Sequence, residues 1–266
     1  ISLYAEKENI SAKEKQLLKE HSVCSWEGND MGFYKFADRI FEIKIKYEYT
    51  ENLCKDYKTD NTAADYVIEV TDEEIEAERG EETNSFSHSY LESLAIYRKI
   101  ADVLTSENCF LMHAAVIEYE GKAYAFTAKS GTGKTTHISL WEKAFGDKVR
   151  IINGDKPLVR MNNDNGEITF TVYGTPWSGK EGKNTNTSAT LSGFCLLHRA
   201  KDNSIEKAGD SAIPFLMGQI FIKKDVNYLE RLLSFVDGLI TNVPIFNLYV
   251  NMDISAAYTA RDTLCK

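Results

Sequence analysis

From residue 125 to residue 141 the chain reads AFTAKSGTGKTTHISLW, and the residues that could do chemistry lie at its centre. Gly131 and Gly133 let a turn of backbone come close to a ligand, Lys134 brings an ammonium, and Thr135 and Thr136 bring hydroxyls. That is the equipment of a phosphate-binding loop. Backbone N–H groups over Ser130, Gly131, Thr132, Gly133 and the residues after them cradle phosphate oxygens, the lysine reaches the β- and γ-phosphates, and the threonine hydroxyl ligates Mg²⁺. A helix that starts at the loop adds the positive end of its dipole. The strict Walker A pattern begins with Gly, where this chain has Ala128, a small residue that fits a strand end. A flexible turn with a surface lysine is the competing reading. The strand-like residues before the loop and the helical pattern after it favour the phosphate site.

A phosphate loop does not separate a kinase from an ATPase or a GTPase, so its neighbours must. The run VRIIN (149–153) ends in Gly154 and Asp155, twenty residues past Thr135. A carboxylate at the carboxyl end of a neighbouring strand is where a metal ligand or base sits, and an ordinary Asn-Gly-Asp turn is the alternative. His113 stands in LMHAAVIEY, before the strand pair that carries the loop. It is either an active-site group or a hydrogen-bonded core histidine.

The elements that must position these residues can be read from periodicity. AAVIEY and KAYAFTA flank Glu120 and Gly121, which predicts a hairpin feeding the loop. Thr135 to Phe145 predicts a helix, and VRIIN a buried strand. LVRM and EITFTVY predict a second hairpin around NNDNG, and ATLSGFCLL (189–197) a further strand. VNYLERLLSFVDGLI, IFNLYV and SAAYTARDTLC predict helix, strand and helix. Upstream, apolar and charged residues alternate from Phe41 to Tyr49 and predict a half-buried strand, Tyr66 to Val70 another, and Leu91 to Leu104 a helix. GTPWSGKEGKNTNTS (174–188) has the composition of a mobile loop that closes over a site, or of a polar surface loop with an exposed tryptophan at its hinge.

Composition narrows the classes. With 266 residues, 43% apolar and 27% charged, the chain has the make-up of a globular α/β protein. Its net charge of -9, concentrated in TDEEIEAERGEE (71–82), disfavours nucleic acid as a partner. The longest apolar run, Phe215 to Ile222, falls far short of the roughly 18 residues of a membrane helix, and the charged first twenty residues do not read as a secretory signal. Five cysteines without a Cys-x-x-Cys pair point to reduced, mostly buried thiols and a cytoplasmic setting. His21, His88 and His198 lack the second pair that a structural zinc site needs. His137, in the first turn after the loop, is read as a solvent or packing residue.

The order HAAV, a glycine-containing hairpin, AKSGTGKTT and then INGDKPLVR resembles the catalytic domain of HPr kinase/phosphorylase, a P-loop serine kinase whose fold is similar to that of phosphoenolpyruvate carboxykinase. The resemblance covers roughly residues 110 to 200. It implies ATP and Mg²⁺ at Ser130 to Thr135, an active-site role for His113, and a base or metal partner at Asp155. Gly154 stands where those kinases carry the first of two adjacent aspartates, which argues against reversible phosphorylase activity. The TPWSG segment resembles that of smaller HPr-kinase-like proteins, some encoded beside peptide-modification enzymes, and so argues against HPr as the substrate.

The expectation is therefore an α/β protein. Residues 1–108 form a β-rich N-terminal segment ending in a helix, and 109–266 a P-loop domain with a PEP carboxykinase-like mixed sheet. Its function is ATP-dependent transfer of a γ-phosphoryl group to a hydroxyl on a peptide, protein or small molecule. Lys134, Asp155 and His113 are the catalytic candidates, Ser130 to Thr136 the nucleotide site, and Thr135 with Asp155 the metal ligands. Neither nucleic acid nor membrane is expected as a partner, and a homo-oligomer is left open. A nucleotide-gated binding module and a plain NTP hydrolase are the alternatives.

Overall fold

The structure is a computed structural model that describes residues 31–80, 85–129, 131–209, 212–221, 223 and 225–266. The chain divides into two compact units, 1–104 and 105–266.

In the first unit β1 (Met31–Phe36) and β2 (Arg39–Lys44) form a hairpin, and β3 (Tyr66–Ile68) lies parallel to β2 at the edge of this three-stranded sheet. Three helices accompany it among the described residues: α1 (Glu48–Cys54), α2 (Asp72–Ala77) and α3 (His88–Leu104). The acidic run supplies α2, which starts with a reciprocal Thr71–Glu74 capping box, as Thr followed three residues on by Glu should.

The strand expected from Phe41 to Tyr49 is shorter than its alternation suggests, ending at Lys44 and giving way to a helix at Glu48. The reason is tertiary. Glu92, fully buried on α3, accepts the backbone N–H of Lys46 at 2.5 Å and the hydroxyl of Thr50 at 2.6 Å. It supplies a side-chain acceptor at the start of α1, whose N-cap Tyr47 makes no side-chain bond. Burial pushes the Glu92 carboxyl above its ordinary pKa.

In the second unit, described residues build a nine-stranded mixed sheet. Its strands are β4 (Cys109–Leu111), β5 (Ala115–Tyr119), β6 (Lys122–Thr127), β7 (Val149–Asn153), β8 (Leu158–Asp164), β9 (Glu167–Tyr173), β10 (Ser188–Arg199), β11 (Ser204–Lys207) and β12 (Ile245–Val250). The main path runs β4-β8-β9-β10-β6-β5-β7, with β12 pairing to β10 and β11. The β5–β6 and β8–β9 hairpins turn where expected, on Glu120-Gly121 and Asn165-Gly166, all four at positive φ.

Helices cover both faces of this sheet. Along β6, Ala123 and Ala125 face one core, with α5 (Ala212–Met217) and α6 (Val226–Asn242), while Tyr124 and Phe126 face the other, with α4 (Lys134–Phe145) and α7 (Ser255–Leu264). A strand buried on both sides is apolar at nearly every position, which is why β6 reads as a continuous run rather than an alternation. Burying both faces stabilises the unit by roughly 25 cal/mol for each Å² of apolar surface removed from water. Cys109 and Cys195 are free and buried here, as Cys54 is in the first unit, and Cys265 is half-buried; Cys24 lies outside the described residues. Among the described residues no helix is long and apolar enough to cross a membrane.

His137 is a packing residue. Its ring sits edge-on to Phe126 at 4.6 Å, its Nε2 accepts from Trp141 Nε1 at 3.1 Å, and its Nδ1 has no hydrogen-bond partner among the described residues. Burial pulls its pKa down to about 3. A histidine kept neutral in the native state takes up a proton on unfolding below its ordinary pKa near 6.5, so its contribution to stability is lost as pH falls from there towards 3, by at most about 1.4 kcal/mol per pH unit. His137→Gln keeps an acceptor for Trp141 and should flatten the fall in urea midpoint between about pH 6.5 and 5; equal slopes in the two proteins would contradict this.

Candidate phosphate site

The ends of several strands converge on one edge of the sheet. Strand β6 delivers the glycine loop at its carboxyl end, β7 runs parallel to it with β5 between, and the turn from β4 to β5 lies beside both. In open α/β sheets, ligands bind in such a crevice outside the carboxyl ends of the strands.

The loop folds as its glycines require. Gly131 has φ +72° and Gly133 φ +118°, values that a side chain would strain. Gly133 is the N-cap of α4 and, having no side chain, makes no capping bond to its first turn. Lys134, the first residue of that helix, turns inward and is 9% exposed. Ser130 lies outside the described residues. Thr132, Gly133 and Thr135 are partly buried, Gly131 and Thr136 exposed.

Three residues that are distant in sequence meet at this point. Lys134 Nζ lies 2.8 Å from His113 Nε2, and the same ring nitrogen lies 3.0 Å from Asp155 Oδ1. One ring nitrogen can accept from the ammonium or donate to the carboxylate, not both together. On the other side of the carboxylate, Lys156 Nζ lies 2.8 Å from Asp155 Oδ2. Burial alone would raise the pKa of Asp155, but the Lys156 ammonium and the His113 ring outweigh it and hold the carboxyl well below the ordinary carboxylate range. Asp155 is thus an anion between a cation and an imidazole.

Residues that the sequence reading passed over hold this arrangement in place. The Asn153 side chain accepts from the N–H groups of Asp155 and Lys156 at 2.8 and 2.7 Å, and donates to Thr175 O and Oγ1 at 2.9 and 3.0 Å. Thr175 Oγ1 in turn donates to Lys156 O at 2.8 Å. His113 is fixed through its backbone, with N–H donating to Gln219 O and C=O accepting from Thr127 Oγ1, both at 2.7 Å. The Asn-Gly-Asp sequence was a signal for an Asx turn at Asn153; nothing local marked Thr175.

The 174–188 segment corrects its sequence expectation. The tryptophan is not exposed: Gly174 to Ser178 are buried, Trp177 being 6% exposed. Lys183 reaches Ser139 and Glu142 on α4 at 3.0 and 2.5 Å, and Thr185 donates from its N–H to Ile152 O and from its hydroxyl to Ile151 O. Between these anchors Gly179 to Gly182 form an exposed turn, closed by the Gly182 N–H on Gly179 O at 3.1 Å.

That packing also accounts for Gly154. A Cβ there would sit 2.7 Å from Ser178 O and 3.2 Å from Lys183 O, both backbone atoms. The position has no room for a second aspartate. Gly154→Ala should destabilise the protein by about 1–3 kcal/mol through this overlap; an unchanged denaturation midpoint would show that the segment yields freely.

No protein-family model matches the chain, and no curated protein matches it. Among solved structures it is similar to the HPr(Ser) kinase/phosphatase from Coxiella burnetii, over 57% of this chain and 88% of that one, at 9% identity and a TM-score of 0.30. At that identity and score no activity carries over from one chain to the other.

Proposed function

We propose that this chain is an ATP- and Mg²⁺-dependent phosphotransferase of the HPr kinase-like type, with residues 109–266 as a PEP carboxykinase-like P-loop domain. It moves the γ-phosphoryl group to a hydroxyl on a peptide, a protein or a small molecule in the cytoplasm. The observation that carries the reading is the Lys134–His113–Asp155 chain, with contacts of 2.8 and 3.0 Å, at the mouth of a glycine loop. A surface lysine has no reason to be buried beside a histidine and a carboxylate, whereas phosphoryl transfer needs a cation for the phosphates, N–H donors around them and a carboxylate for the attacking hydroxyl.

The residues fit the groups the reading requires. A Cβ at Gly131 would meet nothing within 4 Å, so the loop has open space over it for phosphate. Among the described residues no cluster of three acidic, histidine or cysteine side chains could hold a metal alone. Mg²⁺ takes one or two protein ligands and completes its shell with substrate phosphates and water. Thr135 and Asp155 would be those ligands, and the ion when bound neutralises charge on the phosphate oxygens.

In this mechanism the loop N–H groups and Lys134 bind the phosphates, Lys134 leaving His113 for them. Asp155 orients the acceptor hydroxyl and takes its proton, and His113 supports Asp155 through Nε2; the two roles are exchangeable, and substitution separates them. A second reading has an observation of its own. Both carboxylate oxygens of Asp155 are already paired, with His113 and Lys156, which favours a nucleotide-gated binding module that transfers little. Binding of a fluorescent N-methylanthraniloyl ATP tests what the readings share: the wild type should bind it, more tightly with Mg²⁺ than in EDTA, and absence of binding under both conditions would sink both.

A further inference from the structure

Strand β10 lies parallel to β6 with Leu196 opposite Thr127, so its last residues run on past the end of β6 and alongside the glycine loop. Arg199 ends that extension. Its Nε donates to Thr132 O at 3.1 Å and its Nη2 donates to Gly131 O. Two consecutive loop carbonyls are therefore gripped by one guanidinium, whose fork presents N–H donors in a fixed plane. In a trans peptide the C=O and N–H point in opposite directions, so the grip that draws these carbonyls towards Arg199 turns the N–H groups of Thr132 and Gly133 away from it. The Thr132 N–H closes the turn on Lys129 O at 3.1 Å, which leaves the Gly133 N–H as the one the grip directs towards an anion.

The side chain of Arg199 is exposed, so water could serve the cation equally well, and the loop is the party that gains. Gly131 and Gly133 give this stretch freedom to flip its peptides. Carbonyl dipoles turned inward would repel an anion, whereas N–H groups turned inward receive it. We infer that Arg199 is a positioning residue that locks the glycine loop in its anion-receptive peptide orientation. The inference rests on the reading of the loop as a nucleotide phosphate site and adds the residue that sets the polarity of that loop.

The rival role, direct contact with phosphate, requires the charge of Arg199; the grip requires only N–H donors. The experiment combines hydrogen exchange of the ligand-free protein with ATP titration of the wild type, Arg199→Ala and Arg199→Gln, whose amide nitrogen falls where Nε stood. Arg199→Ala should speed exchange of the amides from 131 to 136 and weaken ATP about tenfold, the scale of losing a hydrogen bond to a charged group, with an unchanged thermal midpoint. Free guanidinium should restore affinity to Arg199→Ala and do nothing to the wild type, and Arg199→Gln should bind more tightly than Arg199→Ala. Unaltered exchange in Arg199→Ala, or Arg199→Gln no better than Arg199→Ala, overturns the inference while leaving the nucleotide reading intact. A wild type that binds no ATP overturns that reading, and the purpose of the grip with it.

Discussion

Asp155→Asn is expected to lower phosphoryl transfer by roughly two orders of magnitude or more, the usual scale for losing a general base, while ATP still binds. The amide keeps the size of the side chain and an oxygen for Lys156, so the Asx turn set by Asn153, which rests on backbone N–H groups, is undisturbed. What goes is the negative charge that His113 and Lys156 hold in place. His113→Ala is the companion measurement. If Asp155 takes the proton, the histidine change costs less than the aspartate change, and if His113 takes it, the order reverses. Wild-type rates in both variants would contradict the mechanism.

Lys134→Ala is expected to weaken ATP by about 10- to 100-fold, the range for a hydrogen bond to a charged group, and to leave the fold standing. Lys134 is 9% exposed, so the second half of that expectation needs an argument. Removing the ammonium leaves His113 Nε2 beside Asp155 Oδ1, and Asp155 keeps Lys156 at 2.8 Å, so the Asp155 carboxylate keeps a cation. Lys134→Met, which keeps most of the volume, separates packing from charge: it should bind ATP as weakly as the alanine variant and melt with the wild type. Calorimetric titration and thermal melting decide between them, and full affinity in either variant would remove the lysine from the phosphate site.

How far the sequence carried can be judged from particular residues. The β5–β6 hairpin, the loop and α4 were legible because their signals are local: Glu120-Gly121 for the turn, two glycines before a lysine, and helical spacing after it. VRIIN followed by Asp155 was legible as a strand end, and His113 was singled out by its place before the hairpin. The alternation from Phe41 to Tyr49 misled, because the cause of the early strand end is Glu92, 46 residues away from Lys46. Thr175 and Arg199 escaped notice for the same reason, whereas Lys156 pairs with its own neighbour Asp155 and was simply passed over. The first two do their work on partners brought near by the fold, Arg199 across 67 residues to Thr132, and no periodicity records that. The short α5 and β11 also went unread, being six and four residues long.

Transfer itself is the claim on which the account stands, and following the γ-phosphate tests it most directly. Wild-type protein, γ-labelled ATP and Mg²⁺ are incubated in single turnover with a library of serine-, threonine- and tyrosine-containing peptides and small polyols, and the label is traced. An acid-stable phosphoester on a hydroxyl acceptor is expected, formed at least about a hundredfold more slowly in Asp155→Asn although that variant still binds ATP. Label recovered wholly as intact ATP, or released only as inorganic phosphate, would contradict it.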